Sequence, residues 1–329
     1  MTTQTTSDTT RPPRATDDLT SKEALDRLRA RDRRFVAAAI TELERLTPRS
    51  PRLLEALQPY LGTALVIGFT GPPGAGKSTL VNALIRVLRA KGKTVGVIAV
   101  DPSSPVSGGA ILGDRIRMTA ALDDEGVFVR SLASRGYLGG LSPAAVRIID
   151  ALDAAGYDVI ILETVGTGQN EIDVAEVADV RVVISAPGLG DDIQAMKSGL
   201  LEIADILVVN KGDREGAERT LQQLTGALSI RAGAAAKVPV MKTTATSGEG
   251  VDTLLTAIER VGNGVAAIGA TERRRRRARY LIARAAADLV AQRIRSGEGD
   301  RLDRLADEVL SGRTPVDVAA TRILSEQND

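Results

Sequence analysis

From residue 64 onward, short apolar runs alternate with longer stretches whose apolar residues recur at helical spacing. The runs cover residues 64–69, 95–100, 127–129, 159–162, 180–184, 206–209 and 238–241. They are rich in Val and Ile and continuous rather than alternating, the pattern of strands buried on both faces of a parallel sheet. Stretches such as 80–90 and 251–261 suit the helices that cross between such strands. The pattern predicts an α/β core with a mostly parallel, doubly wound sheet flanked by helices. Upstream, Leu25, Leu28, Phe35, Val36, Ala39, Ile40 and Leu43 fall at helical spacing, and Pro48 and Pro51 punctuate them. After about Gly264 no strand-like run returns, and residues 271–295, 301–310 and 315–324 read as helices. The expected organisation is a disordered tail over 1–18, an N-terminal helical extension over 19–60, the sheet domain over 61–264 and a C-terminal helical arm over 265–329.

Composition adds two exclusions. The chain of 329 residues contains no His, which removes a Ser-His-Asp triad, a His-zinc site and an imidazole base. It contains no Cys, which removes thiol nucleophiles, disulfides and thiolate metal sites and is the usage expected of a cytoplasmic protein. Chemistry is left to carboxylates, Lys, Arg, hydroxyls and backbone amides. With 43 basic and 42 acidic residues, no global charge attracts nucleic acid or an acidic membrane. The first eighteen residues are Thr-rich without an apolar stretch, and no apolar run nears the roughly 20 residues that span a bilayer. Neither a nucleic-acid nor a membrane partner is expected. The run Arg273 to Arg277 is the local exception, but aromatics make up only 2% of the chain, so base stacking is unsupported. A solvated or subunit-facing helical surface is the expected reading of that run.

The chemistry concentrates at strand ends. Gly71-Pro72-Pro73-Gly74-Ala75-Gly76-Lys77-Ser78 matches G-x-x-x-x-G-K-[ST], follows the first predicted strand and opens a helix through Thr79 and Leu80. Such a loop turns its amides onto phosphate oxygens, with the helix N-terminus behind them. Lys77 brings a charge to the β- and γ-phosphates and Ser78 a hydroxyl for Mg²⁺. The predicted class is therefore a P-loop NTPase. Asn210-Lys211-Gly212-Asp213 follows the strand 206–209 and matches the guanine reader N-K-x-D. The Asp213 carboxylate accepts from both the ring N–H and the amino group of guanine, whereas adenine would leave it unpaired at a cost of about 1.5–3 kcal/mol. Thr244-Ala245, after the last predicted strand, is the expected source of a backbone amide for the guanine carbonyl. GTP and GDP are the expected nucleotides, with Mg²⁺.

Asp101 and Glu163 each close a predicted strand, at the sheet edge that carries the phosphate loop, and Asp114 lies in Gly113-Asp114-Arg115. All three are candidate Mg²⁺ ligands, directly or through water, with a helix cap as the alternative reading, weightiest for Asp114. Gly166, in Glu163-Thr164-Val165-Gly166, is placed to offer its amide to a γ-phosphate. Thr167 follows it where Ras-like proteins have a water-orienting Gln, so intrinsic hydrolysis is expected to be slow.

Taken together these segments resemble the MeaB/ArgK family of P-loop GTPases. The matching blocks also include the stretch from Asp101 through Met118, Arg135-Gly136 through Leu141, the block from Glu163 to Gln169, and Pro187-Gly188-Leu189-Gly190-Asp191-Asp192-Ile193-Gln194 through Lys197. The departures are Thr167, Asn170 and Gly212, where the family often has Val, Ser and Ala. The resemblance implies a slow, partner-stimulated GTPase that assists and protects the adenosylcobalamin enzyme methylmalonyl-CoA mutase and gates its cofactor loading. It also implies a homodimer, with the helical arm as the dimerisation element. Family members have been called arginine/ornithine (LAO/AO) transport-system kinases, which gives an alternative: phosphorylation of a periplasmic binding protein. A GTPase that delivers a metal such as nickel is a third class, but it usually carries His or Cys ligands. By the same resemblance the segment from Pro187 to Lys197 looks like a third, partner-responsive switch. The expected catalytic set is Lys77, Glu163, Gly166 and Lys197.

Overall fold

The computed structural model describes residues 18–101, 124–133, 143–164, 174, 176–188, 200–229, 238–297 and 299–325. Among the described residues seven strands form one sheet: β1 (Leu65–Thr70), β2 (Val95–Asp101), β3 (Val127–Ala133), β4 (Val159–Thr164), β5 (Val180–Ser185), β6 (Ile206–Val209) and β7 (Val240–Lys242). Their order is β3-β2-β4-β1-β5-β6-β7, and every pairing is parallel. All seven apolar runs therefore became strands. β3 extends past the expected Val129 to Ala133. It lies at the sheet edge, where only one side must pair, so Arg130 and Ser131 are tolerated, and Arg130 turns out to meet Glu44.

The helices lie on both faces. α1 (Lys22–Arg29), α2 (Arg33–Arg45) and α3 (Ser50–Leu57) precede the sheet. Ser21 and Asp32 cap α1 and α2 through their side chains. α4 (Lys77–Ala90) follows β1, and α5 (Pro143–Ala154) leads into β4. α2 packs against α5, so the N-terminal helices join the sheet domain through Val36, Ala39, Ile40 and Leu43, all fully buried. Beyond β5 come α6 (Leu200–Ile203), α7 (Ala217–Ser229) after β6, and α8 (Val251–Ala266) after β7. Leu80, Val81, Leu84 and Ile85 of α4 share one core with Leu254, Leu255 and Ile258 of α8 and with one face of the strands.

The chain divides into two compact units, 1–277 and 278–329. The helix α9 (Ala270–Gly297) spans the division, and α10 (Gly299–Leu310) and α11 (Val316–Ser325) complete the second unit. There, Glu308 accepts from Thr314 Oγ1 at 2.7 Å and pairs with Arg322 at 3.1 Å, which ties α10 to α11. No helix among the described residues is long and apolar enough to cross a membrane.

The arginine run departs from the solvated alternative of the expected solvated or subunit-facing surface. Arg273 and Arg277 both pair with Asp179, at 2.9 and 2.8 Å, and the Asp179 side chain is fully buried. Only Arg275, paired with Glu272, behaves as the expected exposed residue. A charge run on a helix shows its period but not which of its charges meets a buried acid from another element.

Candidate functional site

Parallel pairing places the carboxyl ends of β1, β4, β5 and β6 along one edge, where the crevice of such a sheet lies. β1 ends at Thr70, and the chain turns out of the sheet at Gly71 with φ 139°. A side chain there would place its Cβ 2.1 Å from the carbonyl oxygen of Ile184 on the neighbouring strand, so the turn requires glycine. Gly76 begins α4 at φ 86°, where a Cβ would lie 2.5 Å from the side-chain nitrogen of Asn210. Pro72 is half-buried, Pro73 and Gly74 are exposed, and Ala75 is fully buried beneath them. Lys77 is buried, and its ammonium donates to the carbonyls of Gly71 at 2.7 Å and Pro72 at 3.0 Å. The loop thus holds its own cation inside its curve. Thr79 is exposed at the start of the helix.

Glu163 sits next to last in β4, paired in register with Phe69 of β1 and with Ala99 of β2. Its carboxylate is buried and accepts from the Ser78 hydroxyl at 2.6 Å. The structure therefore brings together two of the four residues expected to hold Mg²⁺. A carboxylate and a hydroxyl are hard oxygen donors, which fits an ion that keeps several waters and shares phosphate oxygens. Asp101 ends β2 at the same edge, two residues beyond Ala99; its side chain, and Asp114, Gly166 and Lys197 entirely, lie outside the described residues.

The base-reading segment begins at Asn210, whose side chain is buried and works in both directions. Its amide nitrogen donates to the carbonyls of Ala75 at 2.9 Å and Gly76 at 3.3 Å. Its oxygen accepts from the Ala245 amide and the Thr243 hydroxyl, both at 3.2 Å. Lys211 takes the left-handed conformation at φ 58°, and the Gly212 amide donates to the Thr243 carbonyl at 2.9 Å. This turn leaves the Asp213 carboxylate exposed. Thr243 has no motif signature, yet it holds both Asn210 and Gly212; only the packing of β7 beside β6 reveals it.

One expectation changes in detail. Thr244 and Ala245 lie where the sequence suggests, but both amides have acceptors within the protein: Glu249 O for Thr244 at 2.9 Å and Asn210 Oδ1 for Ala245. A guanine carbonyl here competes with Asn210 Oδ1 for the Ala245 N–H.

A phosphate loop, a strand-end acid touching its Ser, and an N-K-x-D turn bonded to the same loop define a P-loop GTPase. The chain belongs to the MeaB family: the family described as methylmalonyl-CoA mutase-associated GTPase MeaB matches residues 36–299. A putative GTPase of Pyrococcus horikoshii is 47% identical over 277 residues, 83% of this chain and 87% of that protein. The mouse mitochondrial methylmalonic aciduria type A homolog is 38% identical over 190 residues, 56% of this chain and 46% of that protein. A solved structure described as a LAO/AO transport system kinase superposes with a TM-score of 0.76 at 28% identity, covering 95% of this chain and 99% of that one.

Proposed function

We propose that this GTPase assists and protects an adenosylcobalamin-dependent methylmalonyl-CoA mutase by gating the loading of its cofactor. The observation that carries this reading is the family match across residues 36–299, with the likeness to the mouse homolog supporting the mutase link. The phosphate loop from Gly71 to Thr79 cradles the phosphates of GTP, and Lys77 meets them from the position its bonds to Gly71 and Pro72 define. Ser78 and Glu163 would hold Mg²⁺, with Asp101 and Asp114 as further ligands; the ion would neutralise phosphate charge. Asn210, Lys211 and Asp213 select guanine. Gly166 offers its amide to the γ-phosphate, and Lys197 stabilises charge on the transferring group when the client moves its loop. The proposed setting is cytoplasmic.

The test measures GTP hydrolysis with and without purified mutase. Stimulation by mutase, lost in Lys197→Ala while basal hydrolysis and GTP affinity stay unchanged, is the expected result. Undiminished stimulation in the variant removes Lys197 from the reaction, and no association with mutase removes the client reading. A second reading, which the likeness to the LAO/AO transport system kinase suggests and the family match supports less, predicts ³²P transfer from GTP to a periplasmic binding protein in place of stimulated phosphate release.

We further propose a homodimer formed through the helical arm. Within 278–329 the large apolar side chains of Ile282, Leu289, Leu310 and Val316 are all more than half exposed, Leu310 at 84%. Surface of this kind is commonly covered by a partner, here a second copy.

A further inference from the structure

The last residue of β7 lies against the base-reading turn. Val209 and Lys242 pair in register at the ends of β6 and β7, so their side chains leave the sheet on the same face. Val209 and, two residues before Lys242, Val240 pack there with Ala217, Leu224 and Leu228 of α7. Lys242 continues that row to the end of the sheet, where the chain leaving β6 has turned into Lys211 and Gly212. A Cβ at Gly212 would lie 2.5 Å from Lys242 Cγ and 3.0 Å from Lys242 Cδ, so the methylenes of Lys242 fill the space a side chain would take.

That contact falls on a turn that needs support. Lys211 stands at φ 58°, a conformation L-residues other than glycine rarely take, and the Gly212 backbone after it is the least restricted of any residue type. The main chain supplies part of the support. The Gly212 amide donates to the Thr243 carbonyl at 2.9 Å, and the Arg214 amide donates to the Lys211 carbonyl at 3.0 Å. Lys242 adds a side-chain wall against Gly212 itself. Its ammonium donates to Glu218 Oε2, in the first turn of α7, at 3.4 Å. The two side chains are 40% and 63% exposed, so the ion pair adds little energy and serves to lay the chain in this direction. The apolar stem does the packing while the charged end stays in water.

We propose that Lys242 is a positioning residue for base recognition: its methylenes, laid across Gly212, hold the turn from Lys211 to Asp213 in the shape that aims the Asp213 carboxylate at guanine. This rests on the reading above that Asp213 selects guanine. Asp213 is exposed and follows the glycine directly, so backbone freedom at Gly212 becomes freedom of the carboxylate. A turn already in its binding shape loses less entropy when the base arrives. In this role Lys242 acts through Gly212 and not on the nucleotide.

The experiment titrates GDP, inosine diphosphate and ADP into the full chain with Mg²⁺ by calorimetry. Inosine diphosphate lacks the 2-amino group, so Asp213 accepts one bond from it rather than two. Wild type should prefer GDP over inosine diphosphate about tenfold, the worth of one hydrogen bond to a charged group. Lys242→Ala should bind GDP about fivefold and inosine diphosphate about twofold more weakly, which lowers the preference to about fourfold. Lys242→Met keeps the stem without the charge and should stay within about twofold of wild type for both nucleotides. Unchanged GDP affinity in Lys242→Ala overturns the proposal, as does an equal loss for both nucleotides, the mark of a general loosening of the fold. A Met variant as weak as the Ala variant overturns it too, since the charge and not the stem would then matter. Wild type that binds inosine diphosphate or ADP as tightly as GDP removes the reading of Asp213 instead, and the role of Lys242 with it.

Discussion

The Ser78 hydroxyl donates a 2.6 Å hydrogen bond to Glu163 Oε1, joining the first turn of α4 to the end of β4 across 85 residues of sequence. Glu163→Gln keeps an acceptor for that hydroxyl but removes the charge. The variant should fold with nearly unchanged stability, bind Mg²⁺ in the presence of GDP about 10–100-fold more weakly and lose GTP hydrolysis in proportion. A Mg²⁺ titration followed by phosphate release measures both. Unchanged Mg²⁺ dependence would leave Glu163 a structural acceptor only.

Asp213 carries the choice of base. Asp213→Asn should lower GDP affinity about tenfold to a hundredfold, because a charge-assisted pair of acceptor bonds is lost. It should raise affinity for xanthosine diphosphate, whose 2-carbonyl complements the new amide donor. Calorimetric titration with GDP, ADP and xanthosine diphosphate reads the outcome, and wild-type protein that binds ADP as tightly as GDP would contradict the assignment.

Asn210 acts differently, since it supports the loops as well as the base. Asn210→Ala leaves the Ala75 carbonyl and the Ala245 amide without their partner and should cost about 1–3 kcal/mol of stability along with nucleotide affinity. Chemical denaturation without nucleotide separates it from Asp213→Asn, which should leave the stability of the nucleotide-free protein unchanged.

Thr70, Thr164 and Ser185 end the adjacent strands β1, β4 and β5 and are fully or almost fully buried. Register puts all three on the sheet face opposite Phe69 and Glu163. Among the described residues, none of the three hydroxyls has a hydrogen-bond partner. Removing an unpaired buried hydroxyl removes its desolvation cost, so Thr70→Val and Thr164→Val should be neutral or stabilise by about 1 kcal/mol. A loss of that size in urea denaturation would instead show these hydroxyls to be bonded in solution.

Asp150 gives a pH signature. Burial pushes its carboxyl up to about 6, Arg277, Arg274 and Arg147 oppose this, and Asp153 adds to it. A carboxyl raised in the folded state binds more protons folded than unfolded between its ordinary value near 4 and about 6. Its contribution is therefore fully present below about pH 4 and is lost as pH rises through about 6. Asp150→Asn should raise the melting temperature more at about pH 7.5, above that range, than at about pH 4.5, near its lower end. An equal shift at both would show that the group does not titrate in the window.

Truncation tests the arm. A chain ending after Arg277 retains the ion pairs to Asp179 that a cut at Thr271 would remove. It should be monomeric in light scattering and still bind GDP. A dimeric product would move the interface to the sheet domain.

What the sequence by itself determined here is local. Seven apolar runs became seven strands because a strand buried on both faces must be apolar throughout, and only the ends shifted, as where edge strand β3 ran on through Arg130. The phosphate loop was legible because Gly71 and Gly76 sit where backbone angle and neighbouring atoms admit no side chain, a demand that leaves its mark on residue type. The N-K-x-D turn was legible for the same reason of fixed spacing. The tertiary structure alone decided which distant groups meet. It set the strand order, lodged Asn210 against Ala75 135 residues away, and recruited Thr243, a residue with no motif to announce it. It also turned the arginine run inward, because Asp179 is a single acid 98 residues from Arg277 and gains its meaning only when β5 starts beside α9. Backbone demands are written at the residue that bears them, whereas a hydrogen bond between remote side chains depends on the whole fold that brings them together.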